Sequence, residues 1–142
     1  MIDQVIQNVK TFQQEVDSVI IDIIKENEDL VIQMNVDNLF AGIKNNGERI
    51  VPPYAASTVK RKKRKGQPFN RVTTRDQGDH HESIFIKYKE DEFELDASDF
   101  KKQYLVRKYG SDLYGLTEAN IETLKGIIEE KLLLELRKRI LL

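Results

Sequence analysis

Three groups of side chains have types and spacings that could do chemistry. Lys60, Arg61, Lys62, Lys63, Arg64 and Lys65 place six cations in succession. Clustered Lys and Arg displace counterions from phosphates and so bind nucleic acid without reading its sequence. The same run also fits a solvated face or a contact to an acidic protein, and no aromatic residue lies within it to stack on bases. Asp79-His80-His81-Glu82 is the one metal-like cluster, since imidazole and carboxylate both ligate zinc. Adjacent residues aim poorly at a single ion and no second ligand pair follows, so these read as polar loop residues and no metal or cofactor is expected. Thr73, Thr74 and Ser83 are hydroxyls without a Gly-x-Ser-x-Gly elbow around them, and no phosphate loop of the Gly-x-x-x-x-Gly-Lys-Ser/Thr type occurs. The expectation is a protein that is not an enzyme and takes no small-molecule substrate.

The basic run has an acidic counterweight at Glu90, Asp91, Glu92, Glu94, Asp96 and Asp99. A chain carrying one basic arm and one acidic surface can associate head to tail, and heterologous contacts of that kind close into rings when the rotation allows. Over all 142 residues, 23 basic and 24 acidic side chains leave a formal charge of −1, so any affinity for nucleic acid must be local. There is no cysteine, hence no disulfide framework and no thiolate chemistry. A chain of this length hides roughly 70% of its unfolded surface and needs no staple, which points to a single domain over 1–142. No apolar stretch approaches the ~20 residues that span a bilayer. The first residues lack the pattern of a secretion signal, so folding in a cytoplasm without membrane contact is expected.

The elements that must position these groups follow from periodicity. From Ile2 to about Glu26, apolar residues recur at Ile2, Val5, Ile6, Val9, Phe12, Val16, Val19, Ile20, Ile23 and Ile24, the stripe of a long helix. Between Asn27 and Gly47 the pattern fits either a short helix or an extended run, ending in an Asn45-Asn46-Gly47 turn. Pro52-Pro53 closes a strand or opens a helix, and Tyr54 to Lys65 reads as a helix with Gly66 as its C-cap. Gly66 to His81 reads as an irregular, mobile loop, so that about 54–82 forms a basic helix-loop arm. Ile84, Ile86 and Tyr88, then Phe93, Leu95 and Ala97, alternate with polar residues and predict a β-hairpin with one face on a helix and one in water. Ser98-Asp99 is expected to cap a short helix through Phe100, Tyr104 and Leu105 that ends near Gly110. Thr117 is expected to cap a last helix with the stripe Ile121, Leu124, Ile128, Leu132, Leu136 and Ile140, widened by Leu133 and Leu134. Long terminal helices packed on a small antiparallel hairpin make the fold class α+β.

The order of these segments resembles a known family. Pro52-Pro53-Tyr54, Ser57-Thr58 with the basic helix and Gly66, Val72-Thr73-Thr74-Arg75-Asp76-Gln77-Gly78-Asp79, Ser83-Ile84 and Tyr114-Gly115-Leu116-Thr117 occur in the sequence of elements seen in small tail-completion and virion-morphogenesis proteins of tailed bacteriophages. The likeness runs from about Asn35 to the C-terminus. Gln77-Gly78 stands where such proteins often have Thr-Gly, and the first helix is longer than theirs. What the resemblance implies is a structural subunit of the neck or tail, a head-tail connector or tail-completion protein. Such a subunit would be made in the host bacterial cytoplasm and assembled as a homo-oligomeric ring with other neck or tail proteins around the DNA. Lys60 to Lys65 would then contact a neighbouring subunit or, without sequence preference, DNA. The alternative is a small nucleic-acid-binding module using the same segment.

Overall fold

A computed structural model describes residues 1–141. The chain runs α1 (Ile2–Glu26), α2 (Glu28–Phe40), α3 (Ala56–Lys65), α4 (Asp79–Glu82), β1 (Ile84–Tyr88), β2 (Phe93–Ala97), α5 (Lys102–Tyr109), a single 3-10 turn (Ser111–Leu113) and α6 (Glu118–Leu141). The class is α+β. β1 and β2 pair antiparallel with Ile84 opposite Ala97 and Tyr88 opposite Phe93, which puts Ile84, Ile86, Leu95 and Ala97 on one buried face. A two-stranded sheet is marginal alone. Here its apolar face is sealed by helices, and α2 packs directly on β1.

α1 and α6 run antiparallel. Lys131 pairs with Glu26 at one end of their contact, while Arg139 reaches Glu15 and lies over the Phe12 ring at the other. Phe12, Val19, Ile21, Ile23 and Ile24 of α1 are buried, as the sequence stripe requires. The stripe nevertheless continues past the part that the fold covers, leaving Ile2 at 75% and Ile6 at 48% exposure. α6 departs similarly, because Leu133, Leu134 and Ile121 face outward and do not widen a buried stripe, while Leu124 is buried. Its N-terminus is capped as expected. Thr117 Oγ1 accepts from the Asn120 N–H and Asn120 Oδ1 accepts from the Thr117 N–H, a reciprocal box of 3.2 and 3.1 Å.

The ambiguous stretch after Asn27 is the helix α2. Its amphipathic signal is blunted because two of its buried positions are the polar residues Asn35 and Asn38. Asn35 is a joint: its Nδ2 donates to the Leu113 carbonyl at 3.0 Å and its Oδ1 accepts from the Gly115 N–H at 3.2 Å. Gly115 has φ of 137°, and a Cβ there would meet the Asn45 amide at 3.0 Å. The turn between α5 and α6 is thus fastened to α2 by side chains that satisfy its backbone.

Two further expectations are corrected. Pro52-Pro53 neither closes a strand nor opens a helix, since no strand precedes β1 among the described residues and α3 begins at Ala56. Ser98 and Asp99 do not cap α5, which starts at Lys102 without a side-chain cap. Asp99 turns inward toward His80 instead, and Phe100 and Tyr104 remain exposed.

Replacing Asn35 by Ala strands a buried carbonyl and a partly buried N–H together. The expected loss is about 2–4 kcal/mol of unfolding free energy, measured by urea denaturation. A loss within 0.5 kcal/mol, the usual scatter for surface changes, would show that the turn is held by other contacts.

Candidate functional site

α3 forms because residues 56–65 contain neither Gly nor Pro and Gly66 terminates it in the left-handed conformation, φ 70°. Its cations divide by face. Lys62 is only 6% exposed: its Nζ donates to the Arg75 carbonyl at 2.9 Å and sits 4.9 Å from the centre of the Tyr54 ring. Lys65 pairs with Asp76 at 3.2 Å, and that contact holds the Asp76 carboxyl below its ordinary range against the opposing effect of burial. Lys63 lies 4.7 Å over the exposed Phe69 ring. Lys60, Arg61 and Arg64 point outward and have no acidic partner among the described residues. Of the six candidate contact residues, therefore, Lys62 is an internal fastener, and the outward trio with Lys63 makes the cationic face.

The loop beyond α3 is tied down at several points. The Thr73 N–H donates to the Tyr54 hydroxyl at 3.0 Å, Gln67 Nε2 donates to the Asp76 carbonyl at 2.7 Å, and Arg71 Nε donates to the Phe40 carbonyl at 2.7 Å. Thr74 adopts φ of 57°, a left-handed backbone that costs a β-branched residue of order 1–3 kcal/mol. Its hydroxyl donates to the Thr73 carbonyl at 2.6 Å and meets His81 Nε2 at 3.1 Å, which helps to offset that cost. The tethers bring Phe69 beside the run. Arg49 also joins this loop, its guanidinium donating to the Asn70 carbonyl at 2.9 Å. Sequence reading missed both residues because only the folded loop places them there.

His80 and His81 are buried in α4 and are not the polar loop residues that the sequence implied. Their rings serve different partners. His81 Nε2 donates to the Thr73 carbonyl at 2.7 Å. His80 Nε2 lies 2.9 Å from the Tyr114 hydroxyl and its Nδ1 lies 3.5 Å from Asp99 Oδ2. Asp99, His80 and Tyr114 thus align as acid, imidazole and hydroxyl. The phenol is nonetheless pushed well above its ordinary pKa by burial and by the nearby Asp96 and Asp99 charges, so it stays protonated beside His80. The row ties three segments together. No group of three metal-ligating side chains occurs among the described residues.

The acidic side is smaller than the sequence implied. Asp96 bonds Lys102 at 2.5 Å and Lys87 at 2.8 Å. Burial opposes its ionisation, but the two lysines together with the Ala97 N–H outweigh burial and hold its pKa at about 2. With Asp99 turned inward, the outward acids are Glu90 and Asp91, together with Glu92 and Glu94, which share Lys89. Between this hairpin and α1, α5 and α6 opens an apolar groove of about 920 Å³, floored by residues such as Ile20, Ile24, Leu95, Val106, Leu116 and Ile128.

The chain matches no protein-family model, no curated protein and no solved structure. No helix among the described residues is long and apolar enough to cross a membrane.

Two predictions follow from this geometry. Lys62→Ala should lower stability by about 1–3 kcal/mol through the lost charged hydrogen bond, whereas Ala at Lys60, Arg61 or Arg64 should stay within about 0.5 kcal/mol. Thermal and urea unfolding separate the two classes, and equal losses would contradict the inward placement of Lys62. Burial is also the main cause that lowers the pKa of both His80 and His81, opposed by Asp99 for the first and by the Thr73 carbonyl for the second. The unfolded chain then binds protons that the native state resists. The stability these rings contribute is complete above their ordinary pKa of 6.5 and is lost as pH falls toward their folded values. Unfolding free energy should fall between about pH 7 and about pH 5, and more shallowly in His80→Asn/His81→Asn. An identical slope in the double variant would contradict this assignment.

Proposed function

We propose that this chain is a non-enzymatic structural subunit of the neck or tail of a tailed-bacteriophage virion. In this reading it is made in the host bacterial cytoplasm and assembles with copies of itself into a ring of the head-tail connector or tail-completion type. The order of segments from Asn35 onward supports the family reading. The observation that carries the assembly reading is surface left uncovered on one chain. The first two turns of α1 expose an apolar stripe, and the hairpin, α1, α5 and α6 enclose an open apolar groove. Contiguous apolar surface on a small protein marks interaction sites. The cationic face of Lys60, Arg61, Lys63 and Arg64 suits DNA in the ring's passage or an acidic neighbouring protein.

The second reading, a small nucleic-acid-binding module, is favoured by that same face and by Phe69, an exposed ring beside Lys63. Light scattering across protein concentration, at low and high salt and with a DNA fragment in parallel, separates the two. The ring reading predicts a closed multimer that survives high salt because apolar faces hold it. A monomer that shifts only with DNA, and loses the shift as salt rises, would overturn the ring. In that case Lys60→Ala/Arg61→Ala/Arg64→Ala should reduce the slope of log affinity against log salt by about 2–3.

A further inference from the structure

We propose that the first two turns of α1 from one copy seat in the apolar groove of a second copy. This contact rests on the ring reading above and names the surfaces that meet. Ile2, Val5, Ile6 and Val9 fall at i, i+3, i+4 and i+7, the spacing with which a helix anchors itself in an apolar groove. They continue the stripe of Phe12, Val16 and Val19, yet they extend beyond the reach of α6, whose Arg139 already lies against Phe12 and Glu15.

These turns cannot fill the groove of their own chain. Ile20 and Ile24 line the groove, and they belong to the same continuous helix as Ile6. At 1.5 Å per residue, Ile6 stands about 21 Å from Ile20 along the axis and cannot fold back onto it. A groove and a helical stripe that lie on one chain but cannot meet within it are satisfied by a neighbour. That contact is heterologous, so it repeats from copy to copy and closes into a ring when the rotation permits.

Charge agrees with the fit. The hairpin lip of the groove carries Asp91, Glu92 and Glu94, and Asp91 has no basic partner among the described residues. The incoming segment presents the positive end of a 25-residue helix without a side-chain cap, together with the exposed Lys10; Asp3 in its first turn is its one acid.

The absence of cysteine makes the test direct, because introduced thiols have no competitors. Ile6→Cys and Ile121→Cys, the latter at an exposed position in the groove, are purified separately, mixed and oxidised. The expected result is a mixed disulfide that exceeds either homodimer, and a ladder of higher species from the chain carrying both changes. Homodimers alone, or no cross-link, overturn the contact. Alongside, Ile2→Asp/Ile6→Asp should abolish the multimer while leaving the thermal melt of the subunit unchanged, because both side chains are exposed. A wild-type multimer that persists in this variant overturns the contact but leaves the ring. A wild-type protein that is monomeric at every concentration overturns both.

Discussion

The antiparallel packing of α1 against α6 carries the rest of the molecule, because the two-stranded hairpin cannot stabilise itself. Ile21 and Ile24 of α1 and Leu124 of α6 join Val31 and Leu39 of α2, Leu95 of β2 and Leu113 in one apolar cluster. The hairpin therefore takes its stability from the helices that cover its inner face. The same pairing builds two walls of the groove, and because α6 covers only part of α1 it also determines which part of the α1 stripe is left in water. Removal of the helix pair would cost both the core and the apolar groove that the two helices frame.

Around that core, buried polar side chains hold the irregular segments in place. Asn35 satisfies the backbone on both sides of the turn before α6, and Lys62 fastens the loop after α3 through the Arg75 carbonyl. His80 links α4 to Asp99 and to Tyr114. Such joints add little net energy when satisfied and are costly when broken, so their effect is to fix geometry. Lys62 shows the consequence for the surface. Drawing one cation inward sets the rotation of α3, and that rotation turns Lys60, Arg61 and Arg64 to solvent as a single face.

Much of the fold was legible in the sequence where one periodicity governed a segment. The stripe of α1, the alternation in β1 and β2, Gly66 as a C-cap and Thr117 as an N-cap all follow from local pattern. α2 was not legible, because Asn35 and Asn38 occupy buried positions and erase the apolar period. The split within Lys60 to Lys65 was hidden as well, since six successive cations look alike until a carbonyl 13 residues away accepts from one of them. For His80 and His81, adjacency in sequence spoke against a shared metal ion but gave no sign of their separate buried partners. The exposed apolar residues of both long helices mark a deeper limit: a stripe reads the same whether it packs within one chain or between two.

The central proposal is that the first two turns of α1, from Ile2 to Val9, are covered by another copy. Hydrogen exchange read peptide by peptide, at low and at high protein concentration, tests it most directly. The account predicts that amides in residues 2–9 exchange fast when dilute and slow down on concentration, together with those of the hairpin lip around Asp91 to Glu94. Residues 2–9 exchanging equally fast at both concentrations would contradict it.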